Sequence, residues 1–362
     1  MRVLHFFEKS KFLNSYLQFL KKNYDINDHH FVTWDAKPTY FDLNKELIDE
    51  FNLHQISRNN LISAYKAAKL CENYDVIIFH SLFLPINLML AFSVKRDYLY
   101  KTTWVIWGGD LSNYIGNIDT ARKLWSVLRN RIINRLGSVV TTKSEYNLLI
   151  EGFHVRPARI EAIYPYLAEQ VNIVNEVISA HVYNSAHVNI LLGNYATRAN
   201  RHIETLNLLR KFKDYDIRIY IPLSYGDMSY AKEVRVIANE IFGEKAIILT
   251  EFMDREEYGK LLSRMRVGII NSNKQLAMGT IYSLLLSGAK IYTDPNGTIW
   301  EIIANERGLK IHPVDEIKYS DFDDFVKVDP NEAIENISKA TLFLSNENLK
   351  EQWDGVFNNK SS

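Results

Sequence analysis

Two runs of strand-helix alternation constrain this chain more than any other feature of its sequence. "RVLHFF" (2–7), "HFVTW" (30–34), "DVIIFH" (75–80), "TTWVIW" (102–107) and "SVVTT" (138–142) are apolar runs of strand length. Helical patterns lie between them at 11–22, 58–72, 84–95 and 119–136. Such alternation predicts a parallel sheet covered on both faces. The segment 165–187 has no strong strand signal and reads as a linker. A second alternation follows, with strands at 188–193, 217–223, 246–250, 267–271 and 289–293 and helices at 199–213, 228–242, 254–265, 279–287, 297–305 and 331–344. Two doubly wound α/β domains are therefore expected, with ligands beyond the carboxyl ends of the strands. If those ends face each other, they frame one cleft.

A length of 362 residues suits two cores better than one. With 47% hydrophobic and 24% charged residues the chain is globular. Lysines and arginines balance aspartates and glutamates at 43 each, so overall charge gives no bias toward nucleic acid. The single cysteine, Cys71, excludes an internal disulfide framework, argues against a cysteine zinc site and fits a reducing compartment. The start, "MRVLHFFEKS", does not read as a signal peptide, and no run approaches the roughly 18 apolar residues of a membrane span. A cytoplasmic location is expected.

"WVIWGGDL" (104–111) runs an aromatic strand into two glycines and an aspartate. Gly108 and Gly109 allow close approach of a ligand or of backbone, and Asp110 reads either as a general base or as a helix cap. His5 and His80 fall at the ends of neighbouring predicted strands, either as partners of that base or as core histidines.

In the second half, "LLGNYATRANRH" leads from a strand through a polar loop into a helix, whose free N–H groups suit a phosphate, with Arg198 as its partner. "NSNKQLAMGTIY" repeats this arrangement at Gly279 and Thr280. Two such loops suggest a diphosphate. Neither has the G-x-G-x-x-G spacing, which counts against a nicotinamide dehydrogenase. The stretch 121–138 holds Arg122, Lys123, Arg129, Arg131 and Arg135 without an acid, as a membrane-surface helix or as the solvated face of a sheet-covering one. "DFDDF" (321–325) reads as a solvated connector rather than a metal motif.

These blocks resemble glycosyltransferase family 56, whose members transfer 4-acetamido-4,6-dideoxygalactose (Fuc4NAc) from a dTDP carrier to an undecaprenyl-diphosphate-linked saccharide of the enterobacterial common antigen type. The resemblance runs from about 75 to 353. "WVIWGGDL" is similar to a Trp-x-Ile-Trp-Gly-Ala-Asp-Leu block, with Gly109 in place of alanine. "FHSLF" puts His80 on the family's histidine. Gly193, Asn194, Arg198, Asn200 and His202 match in "GNYATRANRH", as do Pro222 and Tyr225 in "IPLSY", and also Gln275, Gly279, Thr280 and Gly288. The family has glycine where Leu276 stands, and the first 70 residues match poorly.

The resemblance implies the GT-B architecture, two facing Rossmann-like domains with an interdomain cleft. An acceptor domain is expected over 1–175 and a nucleotide-sugar domain over 188–345, with a tail, 346–362, crossing back onto the first. The expected donor residues are Gly193, Asn194, Arg198, Asn200, Pro222, Tyr225, Glu251, Phe252, Gln275, Gly279 and Thr280. The expected acceptor residues are His5, Trp107, Gly108 and Gly109, with Asp110 as base and His80 as its partner. No cofactor and no metal are expected. The partners would be a nucleotide sugar, a polyprenyl-diphosphate-linked saccharide and, through 121–138, the cytoplasmic face of the inner membrane; no nucleic acid is expected. Two other readings share the architecture: a nucleotide-sugar epimerase, and a degenerate sugar-binding partner subunit.

Overall fold

A computed structural model describes residues 1–10, 12–35, 44–112, 123–167 and 187–358. The chain forms two units, Met1–Tyr166 with Asn346–Ser362, and Leu167–Ser345. Most of the expected linker lies outside the described residues.

The first unit holds β1 (Val3–Lys9), β2 (His29–Asp35), β3 (Asn52–Gln55), β4 (Val76–His80), β5 (Thr102–Val105), β6 (Ser138–Val140) and β7 (Ala158–Ile160). They form one sheet in the order β3-β2-β1-β4-β5-β6-β7, and every pair is parallel. β4, at its centre, is buried at all five positions, as a strand covered on both faces must be. The two edge strands, β3 and β7, were not expected. Both are short and largely exposed, so neither carries the apolar run that reveals a strand. Helix Asn346–Asn358 packs in this unit. The Trp353 indole donates to the Ile163 carbonyl at 3.0 Å, and the Tyr24 hydroxyl donates to the Lys350 carbonyl at 3.1 Å.

The second unit holds β8 (Val188–Leu192), β9 (Ile217–Pro222), β10 (Ala246–Leu249), β11 (Val267–Ile270), β12 (Lys290–Thr293) and β13 (His312–Pro313). Their order is β10-β9-β8-β11-β12-β13, again parallel. Strand order thus reverses between β1 and β4 in one unit and between β8 and β11 in the other. "DFDDF" is not a loop. Asp321 accepts from the Asp324 amide and caps a short helix, Phe322–Val326, whose buried Phe325 stacks on Phe212 at 4.9 Å. Its other acids stay exposed.

The starts of the longer helices differ by position. Asn60, Thr142, Asp227 and Asp254 cap the helices Leu61–Leu70, Lys143–Phe153, Met228–Phe242 and Arg255–Leu262 with their side chains. The helices after β1 (Leu13–Asn23), β4 (Ile86–Val94), β8 (His202–Leu209) and β11 (Met278–Leu286) have no side-chain cap. Without a capping side chain the first-turn donors turn to other groups: the His202 amide donates to the Tyr230 hydroxyl and the Leu88 amide to Asn87 Oδ1, both at 3.1 Å. In both units this occurs at the reversal of strand order, where α/β sheets take their ligands.

Candidate active site

At the reversal point of the second unit, Gly193 follows β8 in the left-handed region, with φ of +70°. A Cβ there would sit 2.2 Å from His202 Nε2, so only glycine lets the buried ring close against the backbone. The Asn200 amide donates to Asn194 Oδ1 and to the Tyr195 carbonyl, both at 3.0 Å. Tyr195 and Tyr225 stack with centroids 5.0 Å apart and planes at 4°. Five side chains on the carboxyl side of β8, β11 and β12 keep buried polar atoms without a partner among the described residues: Asn200 Oδ1, both His202 ring nitrogens, Asn271 Oδ1, Gln275 Oε1 and Thr293 Oγ1. Burial holds the His202 pKa down at about 4, so the ring is neutral.

Gly279 and Thr280 lie in the first turn of helix Met278–Leu286, and the Thr280 and Tyr258 hydroxyls are 3.4 Å apart. Pro222 ends β9. Glu251 and Phe252 are exposed beyond β10, the edge strand on the far side of β9. Arg198 is exposed. It donates to Glu233 at 2.7 Å and lies 4.8 Å over the Tyr230 ring. Arg201, not expected from the sequence, donates to Asp294 at 2.8 Å and ties the loop after β8 to the loop after β12. "TRANR" holds two arginines, and Arg198 is the one on the family pattern. Nothing in the spacing ranked Arg201 above it.

In the first unit the residues of "WGGD" take different parts from those expected. Gly108 turns the chain at φ of +79°. That turn folds Asp110 back beneath the strand ends, where it is fully buried. Its Oδ2 accepts from the Trp104 indole at 2.7 Å and the Leu82 amide at 2.9 Å, and its Oδ1 accepts from the Trp107 amide at 2.8 Å. Arg129 is buried beside it and donates to the Asp110 carbonyl and, at 3.2 Å, to that of Leu82. Burial raises the Asp110 pKa, and the Arg129 charge opposes the rise. Asp110 thereby holds three segments together, with neither oxygen turned to solvent. Gly109 opens the short helix Gly109–Ser112. Arg129 also leaves the basic face, where Arg131 and Arg135 stay exposed; Arg122 lies outside the described residues.

His5 and His80 are fully buried and belong to a hydrogen-bonded line with His29 and Tyr164. Tyr164 is half-buried and lies in an aromatic group with Trp107 and Phe12, at centroid distances of 5.8 and 6.0 Å. The buried Trp107 Nε1 has no partner among the described residues. Glu145, buried after β6, accepts from the Thr141 and Thr142 hydroxyls, and burial raises its pKa to about 7. Tyr164 and Glu145 were not expected from the sequence, because no motif marks either of them. Among the described residues no group of three His, Cys, Asp or Glu side chains is placed to hold a metal ion.

Residues 4–359 match the family model described as 4-alpha-L-fucosyltransferase, glycosyl transferase group 56. The chain belongs to this family. The match reaches into the first 70 residues, where the motif blocks alone gave little. The fold is shared with HepE of Anabaena in complex with UDP and glucose, over 99% of this chain and 100% of that one, at 11% identity and a TM-score of 0.69. A glycosyltransferase from Rickettsia africae ESF-5 aligns over 98% and 97%, at 15% identity and a TM-score of 0.65. Trehalose-6-phosphate synthase OtsA aligns over 99% of both chains, at 12% identity and a TM-score of 0.62. The architecture is GT-B, and this group 56 chain is a glycosyltransferase.

Proposed function

We propose that this group 56 enzyme transfers a sugar, an amino-deoxy hexose on a dTDP carrier, to a saccharide linked to a polyprenyl diphosphate in surface polysaccharide synthesis. The observation that carries the donor half is the set of unpartnered buried polar atoms on Asn200, His202, Asn271, Gln275 and Thr293 beside two uncapped helix starts. Each such atom costs about 1–3 kcal/mol unless something pairs with it. A nucleoside diphosphate sugar brings hydroxyls for the side chains and phosphates for the helix starts. HepE, of the same fold, is seen with UDP-glucose. Charge grows on the departing diphosphate in the transition state, and preformed backbone donors stabilise it there without a metal. Asn194, Asn200, Arg201, His202, Asn271, Gln275, Gly279, Thr280 and Thr293 are the donor residues of this reading, and Arg198 stands outside it.

The acceptor half rests on the first unit. Phe12, Trp107 and Tyr164 give a sugar ring an aromatic surface with polar edges. Asp110 shapes this floor from beneath. The lipid link of the acceptor accords with helix Lys123–Ile133, which exposes Trp125 and Val127 together with Arg131. Among the described residues no helix is long and apolar enough to cross a membrane, so attachment would be peripheral, on the cytoplasmic face.

Calorimetry with dTDP and the full chain tests the donor half, with Asn271→Ala expected to weaken binding by about tenfold. Wild-type affinity in that variant, with the protein folded, removes the strand-end cluster from the site. Transfer from the dTDP-sugar should persist in EDTA, and sedimentation with phosphatidylglycerol vesicles tests the membrane contact. Consumption of donor alone to give a sugar isomer would favour an epimerase.

A further inference from the structure

Three histidines and a tyrosine form one unbroken hydrogen-bonded line across the first unit. His29 Nδ1 lies 3.0 Å from His5 Nε2, His5 Nδ1 lies 3.1 Å from His80 Nε2, and His80 Nδ1 lies 3.0 Å from the Tyr164 hydroxyl. Strand register builds it. His29 is level with Val3, His5 lies two positions on in β1, and His80 is level with Phe7. Residues two apart in a strand share a face, so each ring is one strand over and two residues further along than the last. The line spans four register positions, or about 13 Å of strand rise. It runs from the start of β2 to the carboxyl end of β4.

A neutral imidazole donates through one nitrogen and accepts through the other. His5 and His80 each use both nitrogens on neighbours in the line, so the choice made at one ring sets the next. The whole line points one way or the other. Its walls keep it unbranched: Phe31 stacks on His5 at 4.5 Å, Phe7 stacks on His80 at 4.3 Å, and Phe357 meets the His29 ring edge-to-face at 5.0 Å. A core histidine kept for packing needs one partner. Three in series, ending in a half-buried hydroxyl beside Trp107 and Phe12, form a directional path.

We propose that His29, His5, His80 and Tyr164 are a proton relay serving the acceptor hydroxyl, a step that rests on the transfer reading above. The acceptor oxygen bonds to the anomeric carbon as the bond from that carbon to the diphosphate breaks, and the electron pair leaves with the diphosphate. The acceptor proton passes to the Tyr164 oxygen while the Tyr164 proton moves to His80 Nδ1. His80 passes its Nε2 proton to His5 Nδ1, and His5 passes its own to His29 Nδ1. His29, itself buried, follows the turn Ile26–Asp28, which has no buried residue, and in this proposal gives its Nε2 proton to water beside that turn. After product leaves, the same hops in reverse carry a proton from water at His29 to water at Tyr164, and the line is reset. No ring need be charged at rest. Tyr164 is the group that touches substrate, and the three histidines are positioning residues behind it.

Two measurements on the full chain test this. The first uses 15N-histidine labelling and no substrate. In a relay, Tyr164→Phe shifts the tautomer balance of His29, two rings beyond the altered bond; an unchanged His29 spectrum in the folded variant overturns the proposal. The second compares His5→Gln with wild type in transfer from a dTDP-sugar to an undecaprenyl-diphosphate-linked saccharide. The amide keeps hydrogen bonds but cannot pass the proton on. The relay predicts a kcat at least about tenfold lower at unchanged donor KM, and a proton inventory that changes from curved to linear. If His5→Gln fails to fold, His29→Gln at the far end carries the same expectation. Wild-type kcat in a folded variant overturns the relay alone. A wild-type chain that binds no dTDP overturns the transfer reading and the relay's use together.

Discussion

The two units share a strand order and differ in what lies at its reversal. In the second, the strand ends carry amides and hydroxyls with unanswered hydrogen bonds. In the first, the corresponding ground holds a carboxylate met by three donors and a hydrogen-bonded line of imidazoles, with the Ser10 and Tyr16 hydroxyls and the Trp107 indole left unanswered among the described residues. An incomplete polar set is a binding site awaiting its ligand, whereas a carboxylate met wholly within the chain, as Asp110 is, serves as scaffold. The difference teaches that equivalent positions in one fold take opposite roles according to whether their hydrogen bonds are met within the chain.

Acid should separate the units most strongly. Burial holds His5 and His80 well below the usual histidine pKa, and His29 and His202 at about 4. Between pH 6.5 and about 4 the unfolded chain takes up protons that the folded rings refuse, so stability is present above pH 6.5 and is lost as pH falls. His29 and His202 each account for about 3 kcal/mol of this by pH 4. Glu145 works in the other direction. Its pKa is raised to about 7, so its protonation favours the folded state as pH drops toward 4.5, and it offsets about one ring. The first unit holds three of the four rings and should open first. Tryptophan fluorescence reports it, because Trp300 alone of the six tryptophans lies in the second unit. A signal unchanged down to pH 4 would contradict this account.

Asp110→Ala comes next. It strips an acceptor from two amides and an indole and removes the carboxylate beside the buried Arg129, at a cost of about 3–5 kcal/mol. Denaturant unfolding measures it. If the variant loses turnover with wild-type stability, Asp110 acts on substrate after all.

Thr293→Val probes the other unit with the opposite sign. The Thr293 hydroxyl is buried at the end of β12 with no partner among the described residues, and valine has nearly the same shape. Removing an unmet polar group should stabilise the ligand-free chain by about 1 kcal/mol while weakening dTDP binding. A destabilised variant would mean that the hydroxyl is already satisfied.

The two sheets were legible in the sequence wherever burial forces an apolar run, as in "DVIIFH" and "VGIIN". The edge strands β3, β7 and β13 were not: β3 and β7 are largely exposed and need no such run, and β13 is only two residues long. The glycine at 193 and the helix after β11 were legible from residue type, but the helix expected from 199 begins at His202, after a short turn, Arg198–Asn200, capped by Thr197. The role of Asp110 was not legible. The pattern placed it after a strand, but only the fold brings Leu82 and Arg129 to it from 28 and 19 residues away. The histidine line was invisible for the same reason, since its contacts span 24, 75 and 84 residues.

The smallest effect is also the sharpest test of that legibility. Arg198 lies on matched family positions, yet it is exposed and engaged with Glu233 and the Tyr230 ring. Arg201 has no such pedigree, but its left-handed backbone, at φ of +44°, stands at the uncapped helix start. Its guanidinium reaches Asp294, at the loop after β12. On the proposed donor reading, a diphosphate at that helix start would meet Arg201 and not Arg198. Arg201→Gln should therefore weaken dTDP binding by about tenfold, the scale of one charge-assisted hydrogen bond. Arg198→Gln should leave affinity unchanged, because a solvent-exposed pair contributes little and faces another helix. Calorimetry on the two variants decides between them. The reverse order would show that Arg198 swings from Glu233 to the phosphates when ligand binds, and that residue type read the site better than the resting geometry does.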